Sequence, residues 1–172
     1  MRKIAIVLIF LLIAILAVLG FIIYNLYGSS FSTPQPSINL LEVDKTVIGE
    51  DQIYYLLFSI KAYQLHSPPF SSNTPKINVV IGNQEYQAEI VKTQIVVNQG
   101  KLPNPDLKIS IGEEEFINLL NSENFNLALQ DSVSAGRTNL EVSAGNTELF
   151  TKGYLSLYKE ITGKSLTGSF LR

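Results

Sequence analysis

The chain opens with Ile4 to Ile23, an uninterrupted apolar run of 20 residues, 16 of them Leu, Ile, Val or Phe. A helix of that length reaches about 30 Å, the thickness of a bilayer's hydrocarbon core. Summed on an insertion scale, those side chains favour the membrane by roughly 5 to 10 kcal/mol. A buried helix in a soluble core rarely runs so long without one polar residue. Two competing readings are a cleaved signal peptide and a pilin-like filament helix. The first has a shorter apolar region that ends at an Ala-x-Ala-like site. Here Tyr24, Asn25, Leu26 and Tyr27 follow instead, and the tyrosines suit the interfacial belt of a permanent anchor. The second expects a Gly-terminated basic leader, which is absent. Residues 1–27 are therefore expected to be a single-pass membrane anchor. Arg2 and Lys3 precede the run and no basic residue follows until Lys45. The positive-inside rule then leaves the N-terminus in the cytoplasm and puts the rest outside the membrane.

Residues 28–37 (Gly-Ser-Ser-Phe-Ser-Thr-Pro-Gln-Pro-Ser) are turn formers and prolines, a semi-extended linker by composition. The remainder, 38–172, is long enough to bury a core of its own. From Asp51 to Leu65, Ile53, Leu57 and Ile60 recur at helical spacing, and Asp51 could cap the start. The β-branched and aromatic content would also suit a strand, but the spacing favours a helix. A break at His66 to Pro75 follows. The period then becomes two: Ile77, Val79 and Ile81, a Gly82-Asn83 turn, Tyr86, Ala88 and Ile90, and a third strand through Ile95 and Val97. After Pro103-Asn104-Pro105, Leu107, Ile109 and Ile111 alternate with Lys108 and Ser110, as in a strand with one buried face.

Helical spacing returns at Phe116, Leu119 and Leu120, behind Glu113, Glu114 and Glu115, whose charge suits a first turn. Phe125 to Leu129 reads as a short second helix, and Leu140 and Val142 as a last strand. A final helix from about Thr147 to Thr162 sets Phe150, Tyr154, Leu157 and Ile161 on one face, with Gly163 as its C′ residue and Lys159 in its last turn. Helix, four strands, two helices, strand, helix is an α+β order. It predicts a two-layer domain of about five mostly antiparallel strands, covered on one face by helices.

Three stretches resemble the sterol carrier protein family of nonspecific lipid-transfer domains. They are Pro105-Asp106 leading into Leu107-Lys108-Ile109-Ser110-Ile111, the acidic-started helix Glu113 to Leu120, and Ser134-Ala135-Gly136-Arg137 before Leu140-Glu141-Val142 and an amphipathic C-terminal helix. The likeness covers residues 76–163, extending to 51 if the first helix is included. It implies a fold that encloses an apolar tunnel between sheet and helices, and it makes lipid binding an expectation. Family members are mostly soluble or fused to enzymes, whereas a membrane anchor is expected here, and residues 38–49 match no part of the family pattern.

Composition narrows the chemistry. There are no cysteines, so neither disulfides nor thiolate metal sites are available. Setting Arg2 and Lys3 aside leaves 11 basic against 15 acidic residues, a net of −4 with no basic stripe, which argues against a nucleic-acid partner. His66 is the sole histidine; it lies in a Ser-Pro-Pro loop, and no Gly-x-Ser-x-Gly elbow accompanies it. The Glu113–Glu115 run spreads over more than half a helix turn and reads as a helix start, not a cation site. The 11 glycines are scattered, with no phosphate-cradling loop. No catalytic residue, metal or cofactor is assigned.

The Leu- and Phe-rich helices carry the functional expectation. Phe116, Leu119, Leu120, Phe125, Leu127 and Leu129 are candidate linings of an apolar ligand cavity, although the same residues are more simply the core of a two-layer domain. The leading expectation is a membrane-anchored, extracytoplasmic, non-enzymatic module that binds a lipid or other apolar ligand. The alternative is a structural or protein-interaction domain at the cell surface with a filled core.

Overall fold

The computed structural model describes residues 43–164 together with Ile15, Leu16, Pro36 and Asn39. The chain divides into two units, Met1–Thr33 and Pro34–Arg172. In the first, Ile15 and Leu16 are helical and exposed; the rest of the expected anchor, and the expected linker apart from Pro36, lie outside the described residues. Among the described residues no helix is long and apolar enough to cross a membrane.

The second unit is an α+β domain. Helix α1 (Glu50–Ser59) and a 3-10 turn (Ala62–Gln64) precede three strands, β1 (Lys76–Ile81), β2 (Gln84–Val91) and β3 (Gln94–Gln99). Strand β4 (Leu107–Ile111), helices α2 (Glu113–Leu120) and α3 (Phe125–Ser134), strand β5 (Thr138–Val142) and helices α4 (Asn146–Thr151) and α5 (Tyr154–Thr162) follow. The sheet order is β3-β2-β1-β4-β5. Every neighbouring pair is antiparallel except β1 and β4, which run parallel with Ile77 opposite Leu107 and Ile81 opposite Ile111.

Alternation along the strands decides which side is dry. Ile77, Val79, Ile81, Ala88, Ile90 and Ile109 are at most 1% exposed. They meet Ile53, Leu56, Leu57 and Ile60 of α1, Phe116, Leu119 and Leu120 of α2, Phe125 and Leu129 of α3, and Leu157 and Ile161 of α5 in one cluster. Each buried Val, Leu, Ile or Phe among them stabilises the fold by about 1.5–3 kcal/mol through removal from water.

The parallel pair requires a crossover. The chain leaves β3 at one edge and must pass β2 and β1 before it enters β4. Gly100 N donates to Glu85 O at 2.8 Å as the last rung beside β3, and the chain then crosses the opposite face. Asn78, in mid β1, clamps the passing strap: its Oδ1 accepts from Leu102 N at 3.0 Å and its Nδ2 donates to Leu102 O at 3.3 Å. Asn78 and Leu102 are both buried as a result, although Asn78 points away from the face of Ile77 and Val79.

The Gly82-Asn83 turn is present, with Gly82 at φ 57°. The turn between β2 and β3 is Lys92-Thr93, both at positive φ (49° and 69°). The right-handed twist of the strands demands that geometry even without the usual Asn-Gly pair.

Four expectations need correction. The N-cap of α1 is Gly49, and Asp51 lies exposed inside the first turn, where its charge suits the helix dipole. Helix α3 runs on to Ser134, with the Asn124 side chain accepting from Leu127 N as its cap. The single terminal helix is two helices, because Gly153 takes φ 86° and breaks the run. That break turns Phe150 away from Tyr154, Leu157 and Ile161, leaving it 70% exposed. Gly163 does end α5 in the left-handed region, at φ 68°.

Candidate functional site

The α4–α5 junction holds the densest polar chemistry among the described residues. Gly145 precedes α4, and Gly153 lets the chain turn sharply into α5. A Cβ at Gly153 would stand 3.4 Å from the His66 ring in addition to the unfavourable φ. Helix α4 contributes no buried residue of its own. Half-buried Leu149 packs against the core, and the polar tie is Lys152, the residue after the helix, whose side chain is 0% exposed.

The Lys152 ammonium lies 2.9 Å from each oxygen of Asp106, 2.8 Å from Glu148 Oε1 and 3.2 Å from Thr74 O. Three protons thus face four acceptors, so the ammonium is fully used. Asp106 Oδ2 also accepts from the Tyr154 hydroxyl at 2.9 Å and from Lys76 N at 2.8 Å. Asp106 works with its backbone too. Its N–H donates to Lys76 O, and its carbonyl accepts from Ser143 N and Ala144 N, so one residue joins the ends of β1, β4 and β5. The His66 to Pro75 segment closes the outside: His66 N donates to Lys152 O, and Asn73 Nδ2 to Glu148 Oε1. The Lys152 hydrogen bond holds the Glu148 carboxyl below the usual carboxylate range. Burial, reinforced by the Asp106 charge, pushes the Tyr154 phenol far above its ordinary value, so it stays a donor.

Against this cluster lies an apolar cavity of about 30 Å³, lined by Leu107, Leu140, Val142, Leu149, Tyr154, Leu155, Tyr158 and Ile161. It sits between the β4–β5 edge and the α4–α5 pair. Val142 and Leu155, 40% and 39% exposed, bring it to the surface. The volume is that of about one water molecule.

Of the six candidate lining residues, Phe116, Leu119, Leu120, Phe125 and Leu129 are buried in the central core, while Leu127 is 58% exposed on α3. None of the six lines this cavity. Leu119 does line a different feature, an open groove of about 350 Å³ between α2 and α3 with Glu115, Asn118, Ala128, Asp131 and Arg137. There Arg137 Nε donates to Glu115 Oε1 at 2.9 Å. A hydrogen bond from Ser132, with Arg137 beside it, holds the Glu115 carboxyl below its usual range. Glu113 and Glu114 are exposed at the start of α2 and do not converge with Glu115. His66 is exposed, with Nδ1 3.3 Å from Gln64 O. Among the described residues no group of three or more His, Cys, Asp or Glu could hold a metal ion.

Asp106, Glu148, Lys152 and Tyr154 were missed as a unit. The available signals were the Pro105-Asp106 step and the Glu148…Lys152 spacing of four. An acid–base pair at that spacing reads as an ordinary surface ion pair, and only the tertiary fold shows that its lysine is buried.

No family model and no curated protein matches the chain. Among solved structures it is similar to the inverting sec-alkylsulfatase Pisa1 from Pseudomonas sp., at 11% identity over 74% of this chain and 18% of that one, with a TM-score of 0.42. It is also similar to the palmitated SCP2L2 of Aedes aegypti, at 16% identity, 60% of this chain, 91% of that one and a TM-score of 0.36. A third is the UbiJ-SCP2 ubiquinone synthesis protein, at 9% identity, 61% of this chain, 80% of that one and a TM-score of 0.34. The chain thus spans less than a fifth of the alkylsulfatase's length. At these identities and TM-scores the likeness carries no argument about what the chain binds or does.

Proposed function

We propose that this chain is a membrane-anchored, extracytoplasmic module that binds an apolar ligand without transforming it. The observation that carries the reading is the apolar cavity under α4 and α5, closed on one side by a helix with no buried residue of its own. A bound lipid needs roughly 300 Å³ or more, so the closed cavity is the seed of the site and α4 is the wall that yields. Glycines at both ends of α4 give that wall its pivots. The 20-residue apolar run at Ile4–Ile23 supports the anchor, and the Arg2-Lys3 flank supports the orientation. A tether of this kind would keep the cavity mouth close to a lipid source. The reading gives no residue a catalytic role: the buried lysine has no accessible face and no spare proton.

A second reading is favoured by the cavity's small size. At about 30 Å³ the closed core is nearly filled, as an interaction domain without a ligand would be. Native mass spectrometry of the full chain released from non-ionic detergent micelles, with lipid extraction of the same sample, separates the two. The ligand reading expects a lipid-mass adduct that Leu155→Trp, which fills the cavity mouth, removes. A bare mass for the wild-type chain supports the filled-core reading.

A further inference from the structure

The eight lining residues include no charged side chain, and their polar atoms beyond the backbone are the phenol hydroxyls of Tyr154 and Tyr158. Tyr154 gives its proton to Asp106. Behind it stand two carboxylates and one ammonium, a local excess of one negative charge. The ammonium's three protons are spent on Asp106, Glu148 and Thr74 O. Nearby lysines offer nothing more: Lys108 faces Glu141 at 3.7 Å and Lys61 faces Glu160 at 2.9 Å. Lys159, one helical turn past Leu155, stands at the exposed rim, and Lys76 meets Asp106 and Tyr154 through its main chain; neither is among the lining residues. An anionic head group drawn in past that rim with its chain would meet a negative border and no cation among the lining residues, and burying a charge without a partner is costly.

Resting on the apolar-ligand reading above, we infer that this cavity takes neutral long-chain molecules, such as alcohols or esters, and rejects the ionised carboxylate of the same chain. The negative border set by Asp106 and Glu148 is the selecting element, and Lys152 holds it in place instead of serving as a head-group receptor.

The test is native mass spectrometry of the full chain in non-ionic detergent at neutral pH, with equal concentrations of hexadecanol and hexadecanoate. The expected result is an alcohol adduct favoured by about tenfold or more. Glu148→Gln keeps an oxygen for Lys152 and removes one negative charge, so it should raise the hexadecanoate adduct toward that of the alcohol. Leu155→Trp should abolish both adducts. Equal or tighter binding of hexadecanoate by the wild-type chain, or a Glu148→Gln variant with an unchanged ratio, overturns the charge selection and leaves the apolar-ligand reading standing. Absence of both adducts, or adducts that persist in Leu155→Trp, overturns both.

Discussion

Over β3, helix α1 closes the sheet with Ile53, Leu56, Leu57 and Ile60, all at most 1% exposed and in contact with the strands' apolar face. At the β4–β5 end, helix α4 reaches the cavity through Leu149 alone and has no buried residue, and its fastening is a lysine held between two carboxylates. The two ends therefore fail differently. Apolar packing is additive and forgiving, because each methylene removed costs its share of transfer and cavity energy. An ion cluster is cooperative and geometric: removing one member strands the others in a dry site. The first arrangement suits a permanent wall. The second suits a wall with two defined positions, shut when the cluster is whole and open when it is not.

The sharpest way to break this comparison is to cut one fastening at each end. Lys152→Met is expected to cost about 3–5 kcal/mol in urea unfolding, because Asp106 is left buried and unpaired. Adding Asp106→Asn should return a large part of that loss, since the amide still accepts from Lys76 N and Tyr154 and the one charge left, Glu148, is 35% exposed to water. Leu57→Ala should cost about 2–5 kcal/mol, and no second substitution that removes a partner should restore it. Recovery at both ends, or at neither, would erase the distinction.

A smaller effect separates the ends by pH. The folded state holds the Tyr154 phenol above its ordinary value of 10.0. The stability linked to that shift is complete below about pH 10 and is lost as pH rises further, because the unfolded chain ionises there and the folded chain does not. Tyr154→Phe should cost about 1–2 kcal/mol at neutral pH, a hydrogen bond to a charged group, and should flatten the alkaline decline. A decline of unchanged slope would place its origin elsewhere.

The smallest expected effect lies on α3. Leu127→Ala, at an exposed position, should change stability by less than about 0.5 kcal/mol, whereas Leu129→Ala should cost about 2–5 kcal/mol. A ligand-induced shift in the stability of the Leu127 variant relative to wild type would draw α3 into the binding account.

Much of the fold was legible because period follows environment. Ile77, Val79 and Ile81 alternate since one side of β1 faces the helices, and Phe116, Leu119 and Leu120 recur at helical spacing since one side of α2 faces the sheet. The β2–β3 hairpin was legible too, although Lys92-Thr93 carries no glycine and the strand twist forces both residues to positive φ. Where the reading went astray, a local signal was neutral and tertiary structure decided. The final helix was drawn straight through Gly153, whose φ of 86° splits it in two. Asn78 points away from the face of Ile77 and Val79, and it is buried because the β3–β4 strap crosses above it. The polar cluster was the least legible part. Glu148, Lys152 and Tyr154 are near neighbours in sequence, but Asp106 is far from them and joins them because a parallel β1–β4 pair brings it beside Lys76. A pairing of that kind leaves no local mark in sequence.

The central claim is that an apolar ligand enters beneath α4 and α5. Amide hydrogen exchange of the full chain in detergent, with and without saturating hexadecanol, tests it most directly. The account predicts that residues 146–158 exchange quickly without ligand and are slowed by it, while α1 and the central strands stay protected throughout. Ligand protection confined to α2 and α3, or a 146–158 segment as slow as α1 in both states, would contradict it.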